Sequence, residues 1–264
     1  MSKNLPKVTI VIPVKPGLKP IALNAVKQLD YPKELLEVYL VYGRNPSMQR
    51  NRVVDIAKGD VIYFLDNDSL PAENTLLKLV KHLISNENVC IAGGPSIKPD
   101  KLGLLPFIFG KTFESIFCTG SSRSRYLKIG NVRETNEKEI ILCNMVMRKE
   151  DFLLLGGLNE RLYPNEENEL MEKVRISGKK IIYDPSAYII RTPRQTIKAF
   201  IKQVFNYGRG RGEQTVFYPK SFNFVNFIPA FFFIYLIFSF IKGGYFFYPI
   251  YVYFLILIID SFIK

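Results

Sequence analysis

Two carboxylates one residue apart follow a short hydrophobic run: Asp66-Asn67-Asp68 comes directly after Val61–Leu65. An uninterrupted apolar run of this length is typical of a buried parallel strand, and open α/β sheets bind ligands beyond the carboxyl ends of their strands. Mg²⁺ and Mn²⁺ prefer oxygen ligands and are commonly held by one or two carboxylates together with substrate phosphates. The spacing therefore predicts a divalent metal ion on Asp66 and Asp68 beside a nucleotide diphosphate. A solvated turn is the alternative, because Asp and Asn are also favoured in turns.

A second group of acids, Asn165-Glu166-Glu167-Asn168-Glu169, lies at the start of a predicted helix. The positive end of a helix dipole favours negative charge, so a structural role explains this cluster when it is taken alone. Its flanks are more specific, because Gly156-Gly157-Leu158-Asn159-Glu160 precedes it and a predicted strand follows it.

The first part of the chain alternates between strand-like runs and helix-like spacing. The predicted strands are 8–13, 38–42, 61–65, 89–93, 140–147 and 180–183, and the predicted helices are 20–29, 48–57, 73–84 and 167–177. This alternation indicates an α/β nucleotide-binding domain with right-handed crossovers. Residues 102–125 mix apolar side chains with a basic, serine-rich end, which leaves a membrane-surface segment, an acceptor groove and a buried loop as alternatives.

Two uncharged stretches near the end of the chain, residues 223–241 and 245–259, are separated by Lys242-Gly243-Gly244. As helices they would approach the ~30 Å thickness of a bilayer's hydrocarbon core. They predict a C-terminal transmembrane helical hairpin, with two buried helices of a soluble core as the alternative. The expected domains are 1–190 for the α/β domain, 191–220 for a basic interface segment and 221–264 for the hairpin.

The net charge of +12 is concentrated just before the predicted hairpin. Seven basic residues lie there against one acid, Glu213; they are Arg191, Arg194, Lys198, Lys202, Arg209, Arg211 and Lys220. The positive-inside tendency then predicts a multi-pass protein of the cell membrane whose α/β domain is cytoplasmic and whose basic surface contacts membrane lipids. An amphipathic helix at the membrane interface is predicted from one apolar stripe, formed by Ile197, Phe200, Ile201, Val204 and Phe205.

The composition excludes several kinds of site. His82 is the only histidine, which rules out histidine-based triads and histidine-rich metal centres. Cys90, Cys118 and Cys143 lack metal-ligand spacing and fit a reducing compartment. The glycine–arginine run 208–212 is too short for an RNA-binding tail, so no nucleic-acid partner is expected.

Taken together and in this order, the motifs resemble the family 2 glycosyltransferases of GT-A fold over about residues 7–215. The resemblance rests on the first strand, on Asp66-Asn67-Asp68 as the family's Asp-x-Asp, on Gly156-Gly157-Leu158-Asn159-Glu160, and on Glu166-Glu167 where the family usually has Glu-Asp. The stretch from Arg194 through Gln203 to Tyr207-Gly208-Arg209-Gly210-Arg211 is most similar to the succinoglycan-biosynthesis branch of that family.

The resemblance implies a Rossmann-like GT-A domain with a mixed central sheet that binds a nucleotide-sugar donor, with Mg²⁺ or Mn²⁺ held by Asp66 and Asp68. It implies inverting transfer in which Glu167 takes the proton of the acceptor hydroxyl, with Glu166 beside it as the second catalytic candidate. The residues that it places at the donor are Pro13, Val14, Lys15, Arg44, Asn45, Arg50, Asp66, Asn67, Asp68, Gln203, Arg209 and Arg211.

Besides Glu167 in place of the usual aspartate, the chain departs from the family pattern in two further places. The loop after the second strand, residues 42–47, carries no carboxylate, so Arg44 or Asn45 would contact the nucleotide in a different way. Arg191 stands where relatives often place a histidine, which leaves the metal without an assured third protein ligand. Two alternatives stay open. Arg50 either binds a phosphate bidentately or lies on a helix surface. Gln203, Arg209 and Arg211 close over the donor diphosphate or over a lipid phosphate, or the basic residues simply attract anionic lipid.

We therefore expect a membrane-anchored hexosyltransferase whose acceptor is a glycan on a polyprenyl diphosphate, in polysaccharide or glycoconjugate biosynthesis. One alternative is a polyprenyl-phosphate glycosyl synthase of the dolichol-phosphate-mannose type, in which the lipid phosphate is the nucleophile. The other is a non-catalytic membrane scaffold that retains a nucleotide-sugar fold. The sequence leaves open the sugar, the base, the linkage and the oligomeric state.

Overall fold

The computed structural model describes residues 5–217, 219, 222 and 224–263. Its strands are β1 (Val8–Val14), β2 (Leu36–Tyr42), β3 (Val61–Leu65), β4 (Leu70–Pro71), β5 (Val89–Gly93), β6 (Ser96–Ile97), β7 (Arg133–Glu134), β8 (Asn144–Arg148), β9 (Lys180–Tyr183) and β10 (Ile189–Ile190). Its α-helices are α1 (Ala22–Lys27), α2 (Pro46–Ile56), α3 (Thr75–Ser85), α4 (Leu104–Glu114), α5 (Ile116–Thr119), α6 (Lys149–Leu154), α7 (Glu166–Ile176), α8 (Ile197–Phe217), α9 (Ile228–Lys242) and α10 (Tyr248–Ile263).

Seven of these strands form one mixed sheet in the order β2-β1-β3-β8-β5-β9-β7. Strand β1 runs parallel to β2 and β3, while β8 lies antiparallel between β3 and β5. Strand β9 is parallel to β5, and β7 closes the edge in the antiparallel direction. The predicted α/β domain with a mixed central sheet is thus confirmed.

The sheet is covered on both faces. Successive side chains of a strand point to opposite faces, so Tyr63 of β3 packs into the cluster that contains α1 and α3, and Phe64 packs into the cluster that contains α2, α6 and α7. Burying a side chain of this size contributes roughly 1.5–3 kcal/mol. Because neither face meets water, β3 is apolar without alternation, and its carboxyl end is free to present polar residues.

A second, three-stranded sheet has the order β4-β10-β6. Ile190 at the end of β10 pairs with Leu70 at the start of the antiparallel β4, and with Ile97 at the end of the parallel β6. This register brings the residues just before β4 next to those just after β10. The loop that carries Asp68 therefore meets Arg191, although 123 positions separate them along the chain.

Helix α4 replaces much of the segment for which three alternatives were open, and α8 is longer than predicted because it continues through the glycine–arginine run. The rings of Phe109 in α4 and Phe200 in α8 are stacked, with centroids 4.2 Å apart. Several other apolar side chains of these two helices are exposed, among them Leu104, Phe107, Ile197, Ile201 and Phe205. The predicted stripe on α8 is therefore only partly used for internal packing.

Residues 1–210 form one compact unit and residues 211–264 a second. The predicted transmembrane hairpin in the second unit is not supported, because no helix within the described part of the chain is both long and apolar enough to cross a bilayer. Helix α9 has 15 residues and α10 has 16, whereas a span needs about 20. Part of each apolar stretch forms a 3₁₀ turn instead, at Phe224–Phe227 and Gly244–Phe247. Lys220 of the predicted basic segment lies outside the described residues.

Candidate active site

The two aspartates after β3 are both held by arginine. Asp66 Oδ1 accepts a hydrogen bond of 2.6 Å from Arg50 NH2, and Asp66 Oδ2 lies 3.0 Å from Arg191 NH1. Arg191 Nε also lies 2.9 Å from Asp68 Oδ1, so one guanidinium joins the two carboxylates. Burial alone would raise the pKa of Asp66, but Arg191, Arg50 and Arg194 outweigh it and hold this pKa below its usual value. Asp66 is consequently ionised across the physiological range.

Arg50 connects this corner to the acids at the start of α7. Its NH1 lies 3.3 Å from Glu166 Oε1, while its NH2 holds Asp66. The side chains of Arg50 and Glu166 are 4% and 2% exposed. Arg50 is therefore not a solvent-exposed residue of the helix surface. A buried charge is costly unless it is paired, and Arg50 satisfies two carboxylates that the chain delivers from two different elements.

Glu166 and Glu167 differ in their surroundings. Burial and the neighbouring charge of Glu167 raise the pKa of Glu166 to about 7, against the lowering effect of Arg50. The Glu167 side chain is 12% exposed, and its Oε1 lies 3.9 Å from Arg125 NH1. Arg125 also donates a 2.8 Å hydrogen bond to Asn168 Oδ1, which fixes the first turn of α7. Of the two predicted catalytic acids, Glu167 is thus the more accessible.

The glycine motif before α7 is held against α2. The Asn51 side chain accepts a hydrogen bond from Leu158 N at 3.0 Å and donates to Leu158 O at 2.8 Å and to Glu160 Oε1 at 3.1 Å. Gly156 and Gly157 allow the chain to turn back towards α2, since both have positive φ, at 80° and 67°. The predicted glycine motif is therefore a structural loop that aligns α2, which carries Arg50, with α7.

A small cavity of about 60 Å³ opens beside the aspartates. Polar and aromatic side chains line it, among them Lys98, Tyr126, Arg191, Arg194, Gln203 and Tyr207. Gln203 accepts a hydrogen bond from Arg194 Nε at 3.2 Å and donates one to the Tyr207 hydroxyl at 2.7 Å. Lys98 is paired with the buried Glu114. The cavity thus combines aromatic faces with cationic groups, a lining suited to an anionic group.

The structure places the other predicted donor residues in different settings. Pro13 and Val14 are buried at the carboxyl end of β1, and Lys15 and Arg44 are exposed beyond β1 and β2. Asn45 caps α2 by accepting a hydrogen bond from Met48 N at 3.1 Å. These five residues surround the carboxyl ends of the first two strands, where a donor would be expected.

Asn67 holds a neighbouring loop. Its side chain accepts from Ile21 N at 3.0 Å and donates to Lys19 O at 2.8 Å. Arg209 NH2 donates to the Tyr163 carbonyl oxygen at 3.3 Å, close to α7. Arg211 belongs to the second unit, where its NH1 donates to Gln214 Oε1 at 3.3 Å.

The acidic corner was also predicted to hold a divalent metal ion. Within the described residues, no group of three or more histidine, cysteine, aspartate or glutamate side chains could hold such an ion. Three of the four carboxylate oxygens of Asp66 and Asp68 already contact guanidinium nitrogens. In this arrangement Arg191 contacts Asp66 Oδ2 and Asp68 Oδ1, so a metal ion bound between these two oxygens would have to displace it.

The sequence analysis gave no role in the site to Arg194, Arg125 or Tyr163, and it considered Arg191 only as a departure from the family's frequent histidine. One feature of the sequence could have indicated Arg191. It directly follows the apolar pair Ile189–Ile190, just as Asp66 directly follows β3. The burial of Tyr163 raises the pKa of its hydroxyl, and so do the nearby charges of Asp66 and Glu166. No feature of the sequence indicated that Tyr163 lies at the site.

Comparisons with known proteins bear on the family and the fold of the chain. Residues 16–153, slightly more than half of the chain, match the model of the family described as "Glycosyl transferase family 2". No curated protein matches the chain.

A solved structure of the mannosyltransferase PcManGT from Pyrobaculum calidifontis, in complex with GDP-Man and Mn²⁺, aligns with a TM-score of 0.58 at 17% identity, over 80% of this chain and 64% of that one. This chain therefore spans less than two thirds of the mannosyltransferase. S. aureus TarS aligns with a TM-score of 0.47 at 17% identity, over 70% of this chain and 36% of that one.

Proposed function

The chain belongs to glycosyl transferase family 2, and on that premise we propose that it transfers a sugar from a nucleotide-sugar donor to an acceptor hydroxyl with inversion. One observation carries the proposal: the buried Arg50 side chain joins Asp66 to Glu166, with Glu167 beside it. A corner suited to a donor diphosphate is thereby tied to a pair of carboxylates suited to proton transfer. The GT-A-like α/β fold with its mixed sheet supports the same function.

In the proposed reaction the acceptor oxygen forms a bond to the anomeric carbon while the bond from that carbon to the donor's phosphate oxygen breaks. The electron pair leaves with the nucleoside diphosphate. Glu167 takes the proton of the acceptor hydroxyl, because it is the more accessible carboxylate. Arg191 and Arg194 would lie close to the charge that develops on the leaving group, and such preorganised cations stabilise a transition state effectively.

The proposed acceptor is a glycan carried on a polyprenyl diphosphate at a membrane surface. Its support is the apolar surface of α4 and α8, where Phe205 and Ile201 are 68% and 61% exposed and Lys198 and Lys202 lie in the same helix. Exposed apolar side chains together with lysines are typical of helices that lie in the bilayer interface. The succinoglycan-type branch and the cytoplasmic face of the cell membrane stay predictions.

The proposed mechanism does not use the Mg²⁺ or Mn²⁺ expected from the family resemblance, because Arg191 already contacts both Asp66 and Asp68. The sugar ring would lie against the aromatic side chains of the neighbouring cavity, Tyr126 and Tyr207.

The test is sugar transfer by membranes that contain the full chain, using a panel of labelled nucleotide sugars and extraction of the lipid fraction. Glu167→Gln should lower the rate by at least about 100-fold, since general-base catalysis typically contributes 10²–10⁴-fold. Glu172→Gln is the matched control, because this carboxylate lies on the same helix and pairs with the exposed Arg175. A fully active Glu167→Gln protein would exclude the proposed base. Absence of label with every donor, in the presence of lipid extract, would contradict the activity.

A further inference from the structure

The cation that joins the two aspartates is a side chain of the protein. Arg191 contacts Asp66 through NH1 at 3.0 Å and Asp68 through Nε at 2.9 Å. Its backbone is fixed by the three-stranded sheet, since Arg191 N donates to the Ile97 carbonyl oxygen at 2.9 Å. The guanidinium therefore bridges the aspartates from a rigid position.

The bridge leaves donor capacity for a ligand. A guanidinium presents five N–H donors in a planar fork, and the contacts with the aspartates use Nε and NH1. NH2 is not used in either contact. The Arg191 side chain is 25% exposed and lines the cavity next to Arg194. An anion in that cavity can thus be reached by Arg191 while the aspartates stay paired.

The positive charges near Asp66 favour binding of a phosphate group over binding of a divalent metal ion. Arg50, Arg191 and Arg194 all act on Asp66 strongly enough to outweigh the effect of its burial. A divalent ion that binds Asp66 Oδ2 and Asp68 Oδ1 must displace both contacts of Arg191. A diphosphate needs no such displacement, and arginine forms strong, charge-assisted hydrogen bonds with phosphate.

We propose that Arg191 is the resident cation of the Asp66–Asp68 pair and that, with Arg194, it binds the diphosphate of the donor without a divalent metal ion. The inference rests on the proposed function for the identity of the ligand as a nucleoside diphosphate. In this arrangement the aspartates orient the guanidinium, and the guanidinium neutralises the leaving group.

The experiment measures equilibrium binding of uridine, guanosine and thymidine diphosphates to the purified full chain, once with chelator and once with Mn²⁺. The wild type should bind one of them with affinities that agree within about threefold in the two conditions. Arg191→Ala should weaken binding in chelator by at least about tenfold, the scale of one charge-assisted contact. Arg191→His should bind appreciably only with Mn²⁺, because a neutral imidazole is a metal ligand and frees the aspartates.

Two control variants and two further measurements make the outcomes distinct. Arg52→Ala removes an exposed arginine from α2 and should leave binding unchanged. Arg191→Lys keeps the charge, and thermal unfolding of each variant shows whether it is folded. Electron paramagnetic resonance of free Mn²⁺ should show more metal bound by Arg191→His than by the wild type.

Wild-type binding that requires Mn²⁺, or a folded Arg191→Ala protein with unchanged affinity in chelator, would overturn this inference alone. A wild type that binds no nucleoside diphosphate in either condition would overturn it together with the proposed function.

Discussion

The role of Arg50 in this site depends on the residues that it contacts. On the sequence it was equally consistent with a phosphate ligand and with a helix-surface residue. In the structure it is buried and paired with two carboxylates from β3 and α7. Removing one partner of a buried ion pair typically costs about 3–5 kcal/mol, because the remaining charge is left without compensation. The burial of Arg50 follows from contacts between distant segments, which local sequence patterns do not contain.

Glu166 is expected to make the stability of the protein depend on pH. Its pKa is raised to about 7 by burial and by Glu167, whereas an unfolded glutamate has a pKa of about 4.3. Between these values the folded state binds the additional proton, so the free energy of unfolding should decrease as the pH rises from 5 to 8. Each unit of pKa difference corresponds to about 1.4 kcal/mol.

The measurement for this prediction is the thermal unfolding midpoint of the wild type and of Glu166→Gln at pH 5 and pH 8. The uncharged glutamine should reduce the decrease between the two pH values, and the difference between the proteins cancels the contributions of other titrating groups. Glu172→Gln should retain the full decrease, because Glu172 pairs with the exposed Arg175. Equal pH dependence of the wild type and Glu166→Gln would contradict the assignment.

At the level of elements, the bounds of the strands were easier to predict than the pairing between strands. The predicted bounds of β3 and β5 agree with the structure, because long β-branched and apolar runs bounded by polar residues are strong local signals. The glycine–arginine run was not expected to be helical, yet α8 continues through it. Helix propensity is a weak local preference that tertiary context can override. The pairing of β10 with β4, which positions Arg191, joins strands of two residues each and has no local signal.

The loop between α6 and α7 should depend on Asn51 for its stability. Asn51→Ala removes the hydrogen bonds with Leu158 N, Leu158 O and Glu160. Leaving a buried backbone group without a partner costs roughly 1–3 kcal/mol, which corresponds to a decrease in the unfolding midpoint of roughly 2–4 °C per kcal/mol for a chain of this size. Asn51→Asp keeps the acceptor for Leu158 N but places a carboxylate oxygen against Leu158 O and Glu160 Oε1, so it should also lower the midpoint. Unchanged midpoints for Asn51→Ala, measured by circular dichroism, would show that the loop is held by other contacts.

For the whole molecule, composition predicted apolar C-terminal segments correctly but not their geometry. The positive φ of Gly243 and the 3₁₀ turns before α9 and α10 shorten the helices, and hydrophobicity counts carry no information about such breaks. The association with lipids that we propose therefore depends on surface helices rather than on a span. In the unit formed by residues 1–210, the exposed apolar side chains of α4 and α8 provide that surface.

The full chain should bind anionic vesicles through α8. Replacing Ile201 and Phe205 by serine removes two side chains that are 61% and 68% exposed, so it should weaken co-sedimentation with phosphatidylserine-containing vesicles while leaving the thermal midpoint nearly unchanged. Lys198→Glu and Lys202→Glu should reduce the preference for anionic over neutral vesicles, because each surface lysine contributes about 1 kcal/mol. Leu154→Ser is the matched control, since Leu154 is 79% exposed on α6. Vesicle binding that is equally weakened by Leu154→Ser, or unaffected by the α8 substitutions, would exclude α8 as the lipid-binding surface and with it the support for a membrane-presented acceptor.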